Sequence, residues 1–380
     1  MRDDMKDERA NNDEGAAEGA AYAPSGSLLP EKSGRALSEA YERLRFDHPG
    51  IRAREAAAML GVSEAELVAC RTGNGVIRLR DDFEAILKGL TSLGEVMALT
   101  RNDHCVHEKH GVYDKISIGP GHGLVLNHDI DLRLFMSHWR FGFAVSEEAK
   151  SGVRSSLQFF DIDGSAIHKI YLTDASDRGA YDALIERFRA EDQSDDLCVT
   201  ALPSKPPERP DSEIDTRLFR THWANLQDTH DFFGLLQEFG VTRLQAMRLA
   251  GTEFAHQVAP EGLRMLMEQV AAEQTPIMCF VGNPGCIQIH TGPVQTLKVM
   301  GPWFNILDPR FNLHLREDAI ASAWVVKKPT RDGIVTSLEL FDRHGYCFVQ
   351  FFGERKPGKA ELDAWRRAID ALPLARARAA

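Results

Sequence analysis

Several common chemistries lack their signatures in this sequence. Its 380 residues include six cysteines, Cys70, Cys105, Cys198, Cys279, Cys286 and Cys347. No two form a C-x2-C pair, so neither a zinc knuckle nor a thioredoxin-like redox pair is indicated. Small buried hydrophobes in a reducing compartment are expected instead. No stretch is apolar for the length of a membrane span, and the opening MRDDMKDERANNDEGAAEGAAYAPSGS holds no run fit for a signal peptide. The expectation is a cytoplasmic protein that is not a membrane protein. An excess of basic charge is also missing: 56 acidic against 45 basic residues give a formal net charge of -11. Such a chain repels nucleic acid unless a basic patch is concentrated locally, and no stable nucleic-acid binding is expected. GPGHG at 119–123 lacks the Lys-Ser/Thr end of a phosphate loop and reads as a turn, as does GNPG at 282–285.

Residues 1–32 hold hardly a large apolar side chain to offset the entropy of ordering them, and read as a disordered tail. The pattern then turns helical. ALSEAYERLRFDHP is followed by IRAREAAAMLGVSEAELVAC, two short amphipathic segments joined at Gly61 with Ser63 as a candidate cap. That pair over 51–70 resembles a helix-turn-helix, but it lacks a basic recognition face and suits a packing unit better than a DNA reader. After a further helix come β-prone runs, GEVMALTR, GVYDKISIG, GLVLNH, HWRFGFAV, SSLQFFDIDG and AIHKIYLT, with no crossover helices between them, which implies an antiparallel sheet. PSKPPERP marks a linker.

The second half repeats this succession, and SSLQFFDIDG at 155–164 matches TSLELFDRHG at 336–345 at the same offset of 181 residues that relates FAV at 143–145 to WVV at 324–326. The reading is an α+β protein made by tandem duplication, each half an antiparallel sheet with flanking helices. Its expected parts are the tail at 1–32, an N-terminal repeat at 33–202, a linker at 203–212, a C-terminal repeat at 213–374 and a flexible end at 375–380.

The richest local signal is WANLQDTHDFFGLL, from Trp223 to Leu236. As one helix it places Trp223, Leu226, His230 and Phe233 on one stripe, so the imidazole emerges among apolar side chains. A satisfied core histidine fits that spacing; so does a ligand to a large planar cofactor needing one neutral imidazole and apolar walls. His222 is a weaker candidate. His104, His107, His110 and His122 cluster in sequence, but in a strand-and-loop region they read as scattered histidines rather than a zinc site. The PWFN segment reads as core or pocket wall.

From about residue 36 to 370 the chain resembles the cytoplasmic haem utilisation family, the haemin-degrading factors of HemS/ChuS type. GNPGCIQIHTGPV, MGPWFNILDPRFNLHLR and KKPTRDGIVTSLELFD carry the resemblance. It implies two repeated halves and an axial histidine in W-x-x-L-x-D-T-H-x-F, which falls on His230 with Trp223, Leu226, Asp228, Thr229 and Phe232 in register. It implies an arginine on the opposite face of the haem, at Arg101, where the residues alone favour a surface ion pair with Asp103. It also implies propionate-side positions at Arg243, Lys328 and Arg355, with Gln350 and Phe352 nearby and Lys327 an alternative to Lys328. The cofactor implied is haem b. The function implied is carriage of haem after uptake towards degradation for iron acquisition, with a haem oxygenase or the inner-membrane haem importer as partner. The alternatives are a haem-degrading enzyme, with Arg101 catalytic and electrons from an external donor, and a DNA-binding or interaction module. A monomer and a homodimer are both compatible with the sequence.

Overall fold

A computed structural model describes residues 34–149, 152–203, 206–355 and 358–375. The expected tail at 1–32, most of the expected end at 375–380, and residues 204 and 205 of the expected linker lie outside them.

Each half carries, after an earlier helix, Gly34–Asp47 or Thr216–Ala224, a pair of helices joined through the same turn. In the first, Ala53–Leu60 ends on Gly61, whose φ of 67° is the left-handed cap that glycine adopts without strain. Ser63 then caps Glu64–Ala69 in a capping box with Glu66. In the second, Asp231–Phe239 ends on Gly240 at φ 61° and Thr242 caps Arg243–Leu249. The helix-turn-helix resemblance over 51–70 is thus one copy of a duplicated packing unit. Ala65, Val68 and Ala69 pack on Phe143 and Phe160 of the sheet behind them, and Ala246, Met247 and Leu249 pack with Val326 and Phe341.

The described residues form two antiparallel sheets of nine strands. The first runs, in spatial order, Val76–Leu79, Phe141–Ala149, Gly152–Phe160, Ala166–Ser176, Gly94–Arg101, Cys105–Val112, Phe311–Arg316, Trp303–Asp308 and Leu297–Met300. The second runs Ala255–Val258, Ser322–Thr330, Gly333–Phe341, Cys347–Gly353, Ile277–Asn283, Cys286–Gly292, Asp131–Phe135, His122–Leu126 and Ile116–Ile118. The offset of 181 holds to the residue: Phe141 pairs with Phe160 as Ser322 pairs with Phe341, and both hairpins carry a bulge at the equivalent place downstream.

The two sheets are interlocked, which the sequence pattern did not indicate. Six strands of each come from one half and three from the other. The seams are the pairing of Cys105–Lys109 with Phe311–Leu315 and, as its pseudo-symmetric mate, of Cys286–Ile289 with Asp131–Leu134. Either half alone would leave a long strand edge open to water and to wrong partners. Between the sheets lies an unusually polar seam. Cys105, His107, Lys109 and Gly111 point inward from their strand, and the His290 ring stacks on Phe311 at 3.8 Å while its Nδ1 meets the Lys109 ammonium at 2.8 Å. His168 is fully buried there, with Nδ1 at 2.8 Å from the Thr100 hydroxyl and Nε2 at 2.5 Å from the Tyr113 hydroxyl. Among the described residues no helix is long and apolar enough to cross a membrane.

Candidate functional site

The segment from Trp223 to Leu236 is not one helix. Thr216–Ala224 stops at Asn225, and Asp231–Phe239 begins after a turn with His230 at its N-cap position. Side-chain carboxylates cause the break by offering the backbone partners that a helix does not: Asp231 accepts the N–H groups of Gln227 and Asp228, and Asp228 accepts that of His230 at 2.9 Å. The expected stripe is therefore split. Trp223 and Leu226 are buried, its Nε1 bonding the Lys327 carbonyl, but Phe232 rather than Phe233 turns into the core.

The turn instead lifts the His230 ring to the surface, its side chain 88% exposed, and Asp228 Oδ1 holds Nδ1 at 2.5 Å. A carboxylate on one ring nitrogen fixes ring and tautomer and leaves Nε2 as the nitrogen a metal can take. The bond from the His230 N–H keeps the Asp228 carboxyl below its usual range, helped by the His230 ring and, more weakly, by the charge of Arg355. Arg355, half-buried, thus belongs to this group.

Two residues on, Phe232 joins the turn to a second group. The Arg243 guanidinium lies 5.1 Å and the Lys328 ammonium 4.7 Å from the centre of its ring. Both cations converge on Glu339, which is wholly buried: Arg243 bonds it through Nε at 2.6 Å and Nη2 at 2.8 Å, and Lys328 at 2.8 Å. Ser337 adds a hydroxyl at 3.0 Å, and Gln350 accepts from Arg243 at 3.3 Å. Phe352 stands beside the Lys328 ammonium at 5.8 Å and packs edge-on to Phe280 at 5.0 Å. Burial alone would raise the Glu339 carboxyl; Arg243 and Lys328 reverse that and hold it far below the usual range. Burial lowers Lys328, opposed by Glu339, and Glu339 raises Arg243 against its burial. Strand alternation puts Lys327 on the other face, 3.9 Å from Asp370.

Glu339 and Phe280 were missed at the sequence level. A glutamate in SLELF looks like the solvent side of an alternating strand, and only the cations contributed by a helix and the neighbouring strand reveal it as interior.

Arg101 belongs to a third cluster. It does not pair with Asp103, which is taken by Arg54 at 2.5 Å. The strand end turns the Arg101 guanidinium back to Glu64, a buried carboxylate that also binds Lys169. Despite its burial, Lys169 and then Arg101 pull the Glu64 carboxyl down. No hydrogen bond or ion pair among the described residues links Arg101 to the His230 or Glu339 groups. The sequence cluster of histidines disperses: His104 bonds Asp342 at 3.2 Å, His107 is buried against Phe311, His110 is half-buried and His122 is exposed. Among the described residues no group of His, Cys, Asp and Glu could hold a metal ion by itself. His222 pairs with Glu238. A cavity of about 800 Å³ opens in the first half beside Arg45, Phe46, Arg71 and Glu147, and none of the candidate residues lines it.

Over residues 61–188 and again over 240–372 the sequence matches the haemin-degrading HemS.ChuX domain. It is 40% identical over 337 residues to the hemin transport protein HmuS of Yersinia pestis, covering 88% of this chain and 97% of that one. The fold superposes on holo-PhuS, a heme-binding protein from Pseudomonas aeruginosa, with a TM-score of 0.89 and 48% identity over 90% of this chain and 100% of that one. It superposes on the heme-degrading enzyme ChuS of Escherichia coli O157:H7 with a TM-score of 0.84 and 36% identity over 90% and 99%. One domain match in each half means that this chain belongs to the haem-utilisation family of HemS, ChuS and PhuS, with two copies of the haemin-degrading domain in tandem.

Proposed function

We propose that this protein binds one haem b on its second half, with His230 as the iron ligand, and carries haem in the cytoplasm from uptake towards degradation for iron acquisition. The observation that carries this reading is the convergence of Arg243 and Lys328 on the Phe232 ring, two residues along from His230, with Gln350 bonded to Arg243 and Phe352 beside Lys328. Haem has one edge with two carboxylates and an iron at its centre, and these residues answer both: an imidazole oriented by Asp228, aromatic edges at Phe280 and Phe352, and cations at Arg243, Lys328 and Arg355. When bound, haem supplies an iron able to take a neutral imidazole on one face. The Arg101 guanidinium offers N–H donors and no acceptor, so it is suited to hydrogen-bonding a ligand on the other face rather than to binding iron itself.

Titration of the chain with ferric haem tests the reading: a Soret-absorbing complex saturating at one haem per chain is expected, and no stoichiometric complex overturns it. A second reading, a haem-degrading enzyme with Arg101 in the catalytic role, is favoured by the likeness to ChuS, described as a heme-degrading enzyme. It needs electrons from an external donor. Under reductant, oxygen and catalase it requires regiospecific ring cleavage with release of iron; loss of the reaction when catalase is present leaves transport. For transport, the partner is a haem oxygenase or the inner-membrane importer, and release that accelerates with acceptor concentration is the expected result.

A further inference from the structure

The duplication allows a comparison at one buried place in each half. In the first it is formed by Glu64, the first helical residue after the Ser63 cap, above the strand pair Gln158 and Lys169. In the second it is formed by Arg243, the first residue after the Thr242 cap, above the strand pair Glu339 and Gln350. The helix-to-sheet ion pair is kept, but its polarity is reversed. Glu64 reaches down to Lys169 in one half, and Arg243 reaches down to Glu339 in the other. At the position of Glu339 the first half carries Gln158, equally buried and in the same register. A carboxylate is therefore not required there by the fold.

Lys328 shows the same departure. Its counterpart at the 181-residue offset is Glu147, a half-buried partner of Arg71 at 3.0 Å, whereas the Lys328 side chain is only 3% exposed and lies against Glu339. An ammonium buried to that degree loses its proton unless a carboxylate accompanies it. The groups facing it are Glu339, Arg243 and the Cys347 thiol, together with the Phe232 and Phe352 rings, so Glu339 is the one anion that keeps it charged. Above this pair the Arg243 side chain retains 26% exposure while Glu339 has none, so the cluster shows a cation outward and hides its counter-charge. Two cations against one carboxylate leave a single net positive charge.

We propose that Glu339 is a positioning residue for carboxylate recognition: it aims Arg243 outward and keeps Lys328 protonated, so that the second half, and not the first, selects planar macrocycles bearing carboxylates. This rests on the haem-binding reading, but it concerns the carboxylate edge rather than the iron, and a metal-free probe separates the two. In the dimethyl ester of protoporphyrin IX both carboxylates are capped by methyl groups, so the macrocycle is kept and the ionisable edge is lost. Their affinities are to be measured by fluorescence for the full chain, for Glu339→Gln and for Glu339→Asp, at several pH values from 6 to 9.

The parent is expected to prefer the free acid over the ester by about tenfold or more across that range, as a fixed opposite charge within contact distance gives. Glu339→Asp should keep most of that preference. Glu339→Gln should reduce it about tenfold and make the remainder fall with rising pH as Lys328 deprotonates. Gln158 shows that the amide suits this place in the fold. If Glu339→Gln nonetheless does not fold, Lys328→Met must lower the same preference in its stead. A parent that binds neither porphyrin, nor haem, overturns the haem-binding reading. A parent that binds both porphyrins equally, a Glu339→Gln variant with the parent's preference at every pH, or a Lys328→Met variant that keeps it, overturns the role of Glu339.

Discussion

Asn102 and Asn283 clasp the two halves reciprocally. Asn102 donates to the carbonyl of Gly282 at 3.0 Å, and Asn283, its counterpart at the 181-residue offset, donates to the carbonyl of Arg101 at 2.9 Å. Each also donates to a second carbonyl, Phe348 or Ile167, and accepts two backbone N–H groups of its own turn. The second half thereby fixes the backbone from which Arg101 projects, and Gly282 stands where Arg101 has its equivalent, so the guanidinium occurs once per molecule.

Replacing either asparagine with alanine leaves several largely enclosed backbone groups without partners, at a cost of about 2 kcal/mol or more. Urea unfolding of Asn102→Ala and Asn283→Ala should show similar losses, because the two sites are equivalent. A change below about 0.5 kcal/mol in both variants would mean that the clasp is incidental.

His230→Ala should unfold with the parent, since an exposed imidazole contributes little packing. The haem complex should lose its iron–histidine resonance Raman band and release haem faster, with His222 or another histidine able to capture the iron in its place. Arg101→Ala should retain the band while changing the species on the opposite face. An unchanged band and an unchanged dissociation rate in His230→Ala would sink the assignment of the ligand.

His168 predicts a pH-dependent stability. Burial pushes its imidazole down to about 3 from the ordinary value of 6.5. Between those values the unfolded chain binds a proton that the folded chain refuses, so stability contributed by neutral His168 is present above pH 6.5 and is lost as pH falls towards 3, by about 1.4 kcal/mol per pH unit. A neutral ring satisfies both neighbours, because one nitrogen carries a proton to donate and the other accepts, with the Thr100 and Tyr113 hydroxyls able to take either role. His168→Gln should therefore be less stable than the parent at pH 7, with the gap narrowing on acidification to pH 4. A gap that stays constant would show that His168 protonates in the folded protein.

The thiols should divide sharply. Burial raises the Cys70 thiol to about 11 and those of Cys286 and Cys347 to about 12, and it raises Cys105 and Cys279 as well, whereas Cys198 is exposed. Native protein treated with a thiol-specific disulfide reagent at pH 7.5 should release one equivalent quickly, and the rest only on unfolding. Cys198→Ser should abolish the fast phase; a fast phase that persists would show that one of the enclosed thiols is accessible.

The sequence by itself determined the α+β class, the duplication and its offset, because apolar alternation and turn residues are local signals and survive in both copies. Its apolar spacing singled out His230, whereas Arg243, Lys328, Gln350 and Phe352 were pointed to only by the resemblance to the haem-utilisation family, not by any local pattern. The helix drawn through Trp223 and His230 was wrong for a local reason, the competition of the Asp228 and Asp231 carboxylates for backbone N–H groups, which hydrophobic spacing does not register. The strand Cys105–Val112 was hidden because its inward face carries His107, Lys109 and Gly111, inverting the usual apolar alternation. Tertiary structure alone decided the exchange of three strands between the sheets, since those hairpins satisfy the same local rules whichever sheet they join. It alone also decided the burial of Glu339 and Glu64, because a carboxylate on an alternating strand or a capped helix reads as solvated until the cations that neutralise it arrive from elsewhere in the chain.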